Sequence, residues 1–293
     1  MNNSEKAAPF RGLGTALVTP FAGGEIDLDA WERLIRFQLD RGADCLVVCG
    51  TTGEAPTLSR EEKKKLIASA VSLVSGQVPV VAGAGSNSTL SSVLLAADAR
   101  EAGADALLVV TPYYNKGTES GLVSHYREMG RVGLPLILYH VPGRTGVTLT
   151  AAQIRALLRV ENVCGIKEAS GNMRLIGELL ADGDDPVYCG SDELNLPALF
   201  SGCAGLISVT SNVVPERVKE LVSAVGRSDK ERAQEIDRAI LPLTSALFSE
   251  VNPVPVKYAL SKLGLIREEL RLPLTPASEK ARALVDRAME ALF

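Results

Sequence analysis

The chain has 293 residues, 46% of them apolar and 23% charged, with a formal net charge of −4. This length suits about two ordinary domains or a single α/β barrel of about 250 residues. The even charge balance, with no basic block, excludes nucleic acid and anionic membrane surfaces as expected partners, and no apolar run approaches the roughly 20 residues that span a bilayer.

The opening stretch, MNNSEKAAPFRG, has no apolar core of the kind a signal peptide carries, so a cytoplasmic address is expected. The first predicted strand is 14–18. Asp27 then suits the cap of a helix bearing Trp31, Leu34 and Ile35. A strand at 45–48 follows and runs into CGTTGEAPT. Ser59 and Glu62 have the spacing of a capping box, and Leu66, Ile67, Ala70, Val71 and Val74 form an apolar stripe behind it. Further strands are expected at 79–82, 106–110, 136–139, 163–167, 187–189 and 206–209. Most are apolar on both faces, as the strands of a covered parallel sheet are.

GADCLVV begins at Gly42 and GADALLVV at Gly103, an offset of 61 residues, or two βα units. Each glycine is expected to end a helix in the left-handed conformation. Eight βα units, with no GxGxxG after the first strand, favour a (β/α)8 TIM barrel over a doubly wound open sheet. Beyond the eighth strand only helices are expected, at 215–226, 229–249, 254–263 and 276–292, with Pro215 at a first helical position. The expected division is a catalytic barrel over 1–225 and a C-terminal helical extension over 226–293.

Five cysteines, none in a CxxC pair, read as reduced core thiols, and two histidines are too few for a histidine-rich metal site.

Catalytic groups of such a barrel lie at the C-terminal ends of its strands. Those ends read CGTTGEAPT, TPYYNKG, YHVPGRTG, a strand closing on Lys167, CGSDE and SVTSN. No pair of carboxylates flanks a gap, which disfavours glycoside hydrolysis. Lys167 follows the apolar run Val163, Cys164, Gly165, Ile166. Alternation puts Val163, Gly165 and Lys167 on one face, with Gly165 leaving space below the lysine. A desolvated amine there is a nucleophile toward carbonyls, or else the lysine snorkels to the mouth or pairs with Glu168. Tyr139 ends the neighbouring strand, as a proton carrier or a rim aromatic. Thr51, Thr52 and Gly53 present backbone N–H groups to a carboxylate or form an ordinary turn. Arg144 is a carboxylate clamp or a solvated loop charge.

GTTGEAPTLS, TPYYNK, YHVPGRTG, GIKEASG and NPVPVKYAL, in this order across about residues 11–276, resemble the dihydrodipicolinate synthase (4-hydroxy-tetrahydrodipicolinate synthase) family of pyruvate-dependent class I aldolases. The resemblance implies condensation of pyruvate with L-aspartate 4-semialdehyde on the diaminopimelate route to lysine, with neither a metal nor an organic cofactor. In that scheme Lys167 is the Schiff-base residue and Tyr139 the proton donor and acceptor. Thr51 and Tyr114 are its relay partners, Tyr114 serving the neighbouring subunit. Thr52 and Ile207 contact pyruvate and Arg144 binds the semialdehyde carboxylate. Gly190 belongs to the site, although CGSDE departs from the usual SGDD there. A homotetramer built as a dimer of dimers is implied.

His140 replaces the usual asparagine after Tyr139 and is expected to point away from it. Lysine-inhibited members carry a histidine after GTTGE and a glutamate in the helix after GxGxN. Arg60, Lys63 and Ser91 lie in those stretches here, so no inhibition by lysine is expected. Sister activities, an N-acetylneuraminate lyase or a 2-keto-3-deoxygluconate aldolase, and a barrel that binds a keto acid without turnover are the competing readings.

Overall fold

Eight short segments of β-branched and aliphatic residues pair edge to edge until no edge remains. The computed structural model describes residues 8–181 and 183–293. Its strands are β1 (Gly12–Ala16), β2 (Cys45–Val48), β3 (Val80–Gly83), β4 (Ala106–Val110), β5 (Leu136–His140), β6 (Val163–Glu168), β7 (Val187–Cys189) and β8 (Gly205–Ser208). All pair in parallel, and β8 closes on β1, giving the order β1-β8-β7-β6-β5-β4-β3-β2. Closure removes the exposed edges that an open sheet must protect.

Helices α1 (Leu28–Leu39), α2 (Arg60–Val74), α3 (Thr89–Glu101), α4 (Glu119–Gly130), α5 (Pro142–Thr145), α6 (Ala151–Leu158), α7 (Met173–Ala181), α8 (Asn195–Phe200) and α9 (Pro215–Gly226) surround the barrel. The expected starts are present. Asp27 caps α1 through the N–H of Ala30, and Ser59 and Glu62 form a reciprocal box at α2. Gly42 and Gly103 have φ of 82° and 89°, the left-handed turn that the repeat implied before β2 and β4. Three helices follow, α10 (Lys230–Leu247), α11 (Val254–Lys262) and α12 (Glu279–Glu290), with α10 packed on α9 and α12. No helix among the described residues is long and apolar enough to cross a membrane. All five cysteines are thiols, four of them buried and Cys203 half-buried.

Three details depart from the sequence reading. The first strand ends at Ala16, because Leu17 and Val18 are buried beyond the continuous ladder. A two-residue antiparallel ladder, Phe21–Ala22 with Glu25–Ile26, turns through Gly23 and Gly24 at φ 63° and 84° and is too short to show a period. The third concerns β6. Leu136 pairs with Val163 but Ile137 pairs with Gly165, so Cys164 is the extra residue of a β-bulge. Val163 therefore packs with the outer shell, whereas Gly165 and Lys167 oppose Ile137 and Tyr139. The expectation that Val163 shares the face of Lys167 is corrected on this point.

Two layers of core result. The larger lies between strands and helices and includes Leu46, Leu107, Leu138, Val163 and Ile166. The smaller fills the barrel with Phe10, Cys45, Val47, Leu108, Ile137, Tyr139, Tyr188 and Ile207. Phe10 stacks on Tyr188 at 4.4 Å, and the Tyr188 hydroxyl donates to the Phe10 carbonyl at 2.7 Å. Gly14 allows this plug, since a Cβ there would stand 2.8 Å from the Phe10 ring.

Candidate active site

Lys167 on β6 and Tyr139 on β5 are partners in the ladder, so both side chains enter the barrel at one height. The Lys167 Nζ lies 4.6 Å from the centroid of the Tyr139 ring. The two residues are only 5% and 7% exposed. Among the described residues no carboxylate and no hydrogen-bond acceptor partners the Lys167 amine. Glu168 is not its partner: that side chain points to the other face and bonds His140 at 2.6 Å. An amine in a buried mouth, facing a phenol and holding no salt bridge, is placed to meet a carbonyl carbon.

Room for the lysine stem comes from an unexpected glycine. A Cβ on Gly165 would lie 2.7 Å from the Pro186 carbonyl oxygen and 3.5 Å from the Tyr188 ring. The space above Gly165 is thus already filled by β7. At Gly190, just past β7, a Cβ would stand 2.6 Å from Lys167 Cε and 3.0 Å from its Cγ. Gly190 is what lets Lys167 lie across the mouth, and its N–H donates to the Glu168 carbonyl at 2.8 Å. Burial pushes the Tyr188 phenol well up and the Cys189 thiol up to about 12, so neither gives up a proton readily.

The turn after β2 carries Thr51, Thr52 and Gly53. The Gly53 carbonyl accepts from the Thr19 hydroxyl at 2.7 Å, and the Thr51 carbonyl accepts from the Glu54 N–H at 3.1 Å. Among the described residues no acceptor takes the N–H of Thr51, Thr52 or Gly53. A run of half-buried to buried N–H groups without protein acceptors suits an anionic oxygen. Thr52 itself is buried, and its Oγ1 accepts from the Asn252 side-chain amide at 2.9 Å.

Arg144 sits in α5, a single turn where a loop was expected, and is exposed. Its guanidinium donates to the Asn252 carbonyl at 3.0 Å. Asn252 thus touches both Thr52 and Arg144, and among the described residues its own buried Oδ1 has no partner. Ile207 lies on β8 with no exposed surface, inside the barrel. Asp192, from CGSDE, accepts from the N–H groups of Val209 and Thr210 at 2.7 and 3.1 Å, which fixes the chain just past β8. Tyr114 is different. It follows β4 at φ 70° and is 90% exposed, so one chain alone does not bring it onto the buried Tyr139.

Sequence reasoning missed Asn252, Glu54 and the His140–Glu168 pair as parts of this neighbourhood. NPVP and GTTGE were visible as motifs, but nothing local showed that residues 200 positions apart meet.

Residues 9–292 match the dihydrodipicolinate synthetase family. The chain is 48% identical over 285 residues to a 4-hydroxy-tetrahydrodipicolinate synthase of Thermotoga neapolitana, covering 94% of this chain and 96% of the relative. Its fold is similar to the crystal structure of the dihydrodipicolinate synthase of Thermotoga maritima, with a TM-score of 0.94 and 43% identity over 97% of this chain and 98% of that one. It is similar as well to the chloride-inhibited dihydrodipicolinate synthase of Acinetobacter baumannii complexed with pyruvate, with a TM-score of 0.94 and 39% identity over 96% and 98% of the two chains. A match over nearly the whole length, on the same closed barrel, means that this chain belongs to the dihydrodipicolinate synthetase family.

Proposed function

We propose that the chain is an enzyme that condenses pyruvate with L-aspartate 4-semialdehyde, the activity of a 4-hydroxy-tetrahydrodipicolinate synthase. The observation that carries this is the Lys167 amine, buried, without a carboxylate partner and 4.6 Å from the Tyr139 ring centroid.

The amine adds to the ketone carbon of pyruvate, and water leaves to give an iminium. The iminium draws electron density from the methyl carbon, which releases a proton. The enamine so formed attacks the aldehyde carbon of the second substrate. The amino group of that substrate then adds to the iminium carbon, closing the ring and expelling the lysine. Tyr139 moves the protons that dehydration and release require, with Thr51 and the partner chain's copy of Tyr114 as relays. The high exposure of Tyr114 supports that last assignment. The Thr51–Gly53 turn, with Thr52, takes the pyruvate carboxylate beside Ile207, and Gly190 keeps the lysine stem clear. Arg144 clamps the carboxylate of the semialdehyde.

Residues 1–225 form the catalytic barrel and 226–293 a helical extension. The working assembly is a homotetramer, a dimer of dimers, in the cytoplasm. Lysine does not inhibit it, because Arg60, Lys63 and Ser91 stand in the stretches where lysine-inhibited members carry a histidine and a glutamate.

Incubation with pyruvate and borohydride, followed by peptide mass mapping, tests the reading. The expected result is a single reduced adduct on Lys167. No adduct, or an adduct elsewhere, refutes it. Turnover with L-aspartate 4-semialdehyde in preference to sugar aldehydes then fixes the second substrate.

A further inference from the structure

The side chains of His140 and Glu168 stand one residue past Tyr139 and Lys167, on the opposite face, and are also paired in the ladder. Neither has more than 1% of its surface exposed. The imidazole is doubly engaged. Its Nε2 lies 3.1 Å from the Leu149 backbone nitrogen, which is a donor, so Nε2 accepts. The ring proton therefore sits on Nδ1, which donates to Glu168 Oε2 at 2.6 Å. The other carboxylate oxygen accepts from the Ser170 N–H, also at 2.6 Å. The backbone continues the link, with the Ala169 N–H donating to the His140 carbonyl at 2.9 Å.

One ring thus joins two places the reaction uses. Through Nδ1 it holds Glu168, the chain neighbour of Lys167. Through Nε2 it holds Leu149, at the far end of the segment that carries Arg144. We propose that the His140–Glu168 pair is a positioning unit, which sets the lysine strand and the arginine loop in fixed relation. This rests on the reading of Lys167 and Arg144 given above. An asparagine at this position would reach the place of Nδ1 but not that of Nε2, so the coupling to the loop is a property of the histidine.

Two substitutions separate the two bonds. His140→Asn keeps a donor toward Glu168 and drops Leu149. His140→Gln carries an acceptor to Leu149 and drops Glu168. Each is read out by the rate of borohydride trapping with pyruvate alone, and by KM and kcat for the semialdehyde, after circular dichroism has shown the fold retained. The expected pattern is crossed. His140→Asn raises the semialdehyde KM about five-fold and leaves pyruvate trapping within about two-fold, the effect of one hydrogen bond on a loop. His140→Gln slows pyruvate trapping about five-fold and leaves the semialdehyde KM within about two-fold. Any other pattern, including no change in either variant, overturns the proposal. Failure of the wild-type protein to be trapped by pyruvate would instead defeat the reading of Lys167, and this inference with it.

Discussion

Glu54 and Lys257 form an ion pair of 2.6 Å in which neither side chain has any exposed surface. Lys257 also donates to the Thr19 carbonyl at 2.8 Å and lies 4.3 Å from the centroid of the Phe21 ring. Glu54 sits at φ 54° in the turn that carries Thr51 and Thr52, and its second oxygen accepts from the Arg271 N–H at 3.0 Å. The C-terminal helices and the loop that follows thus hold the Thr51–Glu54 turn from behind. Replacing Lys257 by Met leaves a buried carboxylate without its cation, at a cost of about 3–5 kcal/mol in denaturant unfolding. The double change Lys257→Met with Glu54→Gln is expected to recover much of that loss. Equal stability of single and double variants would contradict the pairing.

Gly165 and Gly190 predict different phenotypes. Gly165→Ala forces a Cβ to 2.7 Å from a backbone oxygen, which has nowhere to go, so stability falls by about 1–3 kcal/mol as for other overpacked sites. Gly190→Ala meets the flexible Lys167 stem at 2.6 Å and the rigid Ala169 Cβ at 2.9 Å. Its stability is expected to fall by about 1 kcal/mol, the low end of the overpacking range, while pyruvate trapping falls by at least about ten-fold because the amine is displaced.

Asn252 is the shared support of Thr52 and Arg144. In Asn252→Ala the Thr52 hydroxyl loses its donor, and the Arg144 contact, being to backbone, keeps its acceptor. The expected result is a KM for pyruvate raised about five-fold with a smaller change in kcat, the mark of lost binding common to ground and transition states. A fall in kcat at unchanged KM would show that Asn252 acts on the chemistry instead.

His125 gives a pH signature unrelated to catalysis. Its Nδ1 lies 3.0 Å from the Thr89 hydroxyl, its Nε2 has no partner among the described residues, and burial lowers its pKa from 6.5 to about 4. Between those values the unfolded chain binds a proton that the native protein does not. Stability therefore falls as pH drops from about 6.5 and this loss is complete below about 4. A plot of thermal midpoint against pH should flatten over that interval in His125→Gln. An unchanged slope would assign acid sensitivity to other groups.

Much of this was legible in the residues. Strand spacing, the capping box at Ser59 and Glu62 and the left-handed Gly42 and Gly103 all follow from local chemistry, and local chemistry survives folding unless packing opposes it. What escaped was non-local or uncounted. The Glu54–Lys257 pair joins residues 203 apart, and a single sequence carries no record of such a meeting. The bulge at Cys164 leaves no mark in composition, so alternation counted from Val163 assigned that residue to the wrong side. Gly165 and Gly190 look alike in the sequence, and only the neighbouring strand decides which one makes room for an amine.

The bulge has a consequence of parity. Val163 and Lys167 are four positions apart, an even number, so an unbroken zigzag beginning at Val163 would keep them on one side of the wall. With Val163 committed to the helical shell, that zigzag would send the amine outward and turn Glu168 toward the mouth. The single surplus residue reverses the count and sorts two adjacent side chains, amine inward and carboxylate outward. Which side chain faces the mouth of this barrel is thus selected by an odd residue upstream of it, whose own side chain takes no part in the proposed reaction.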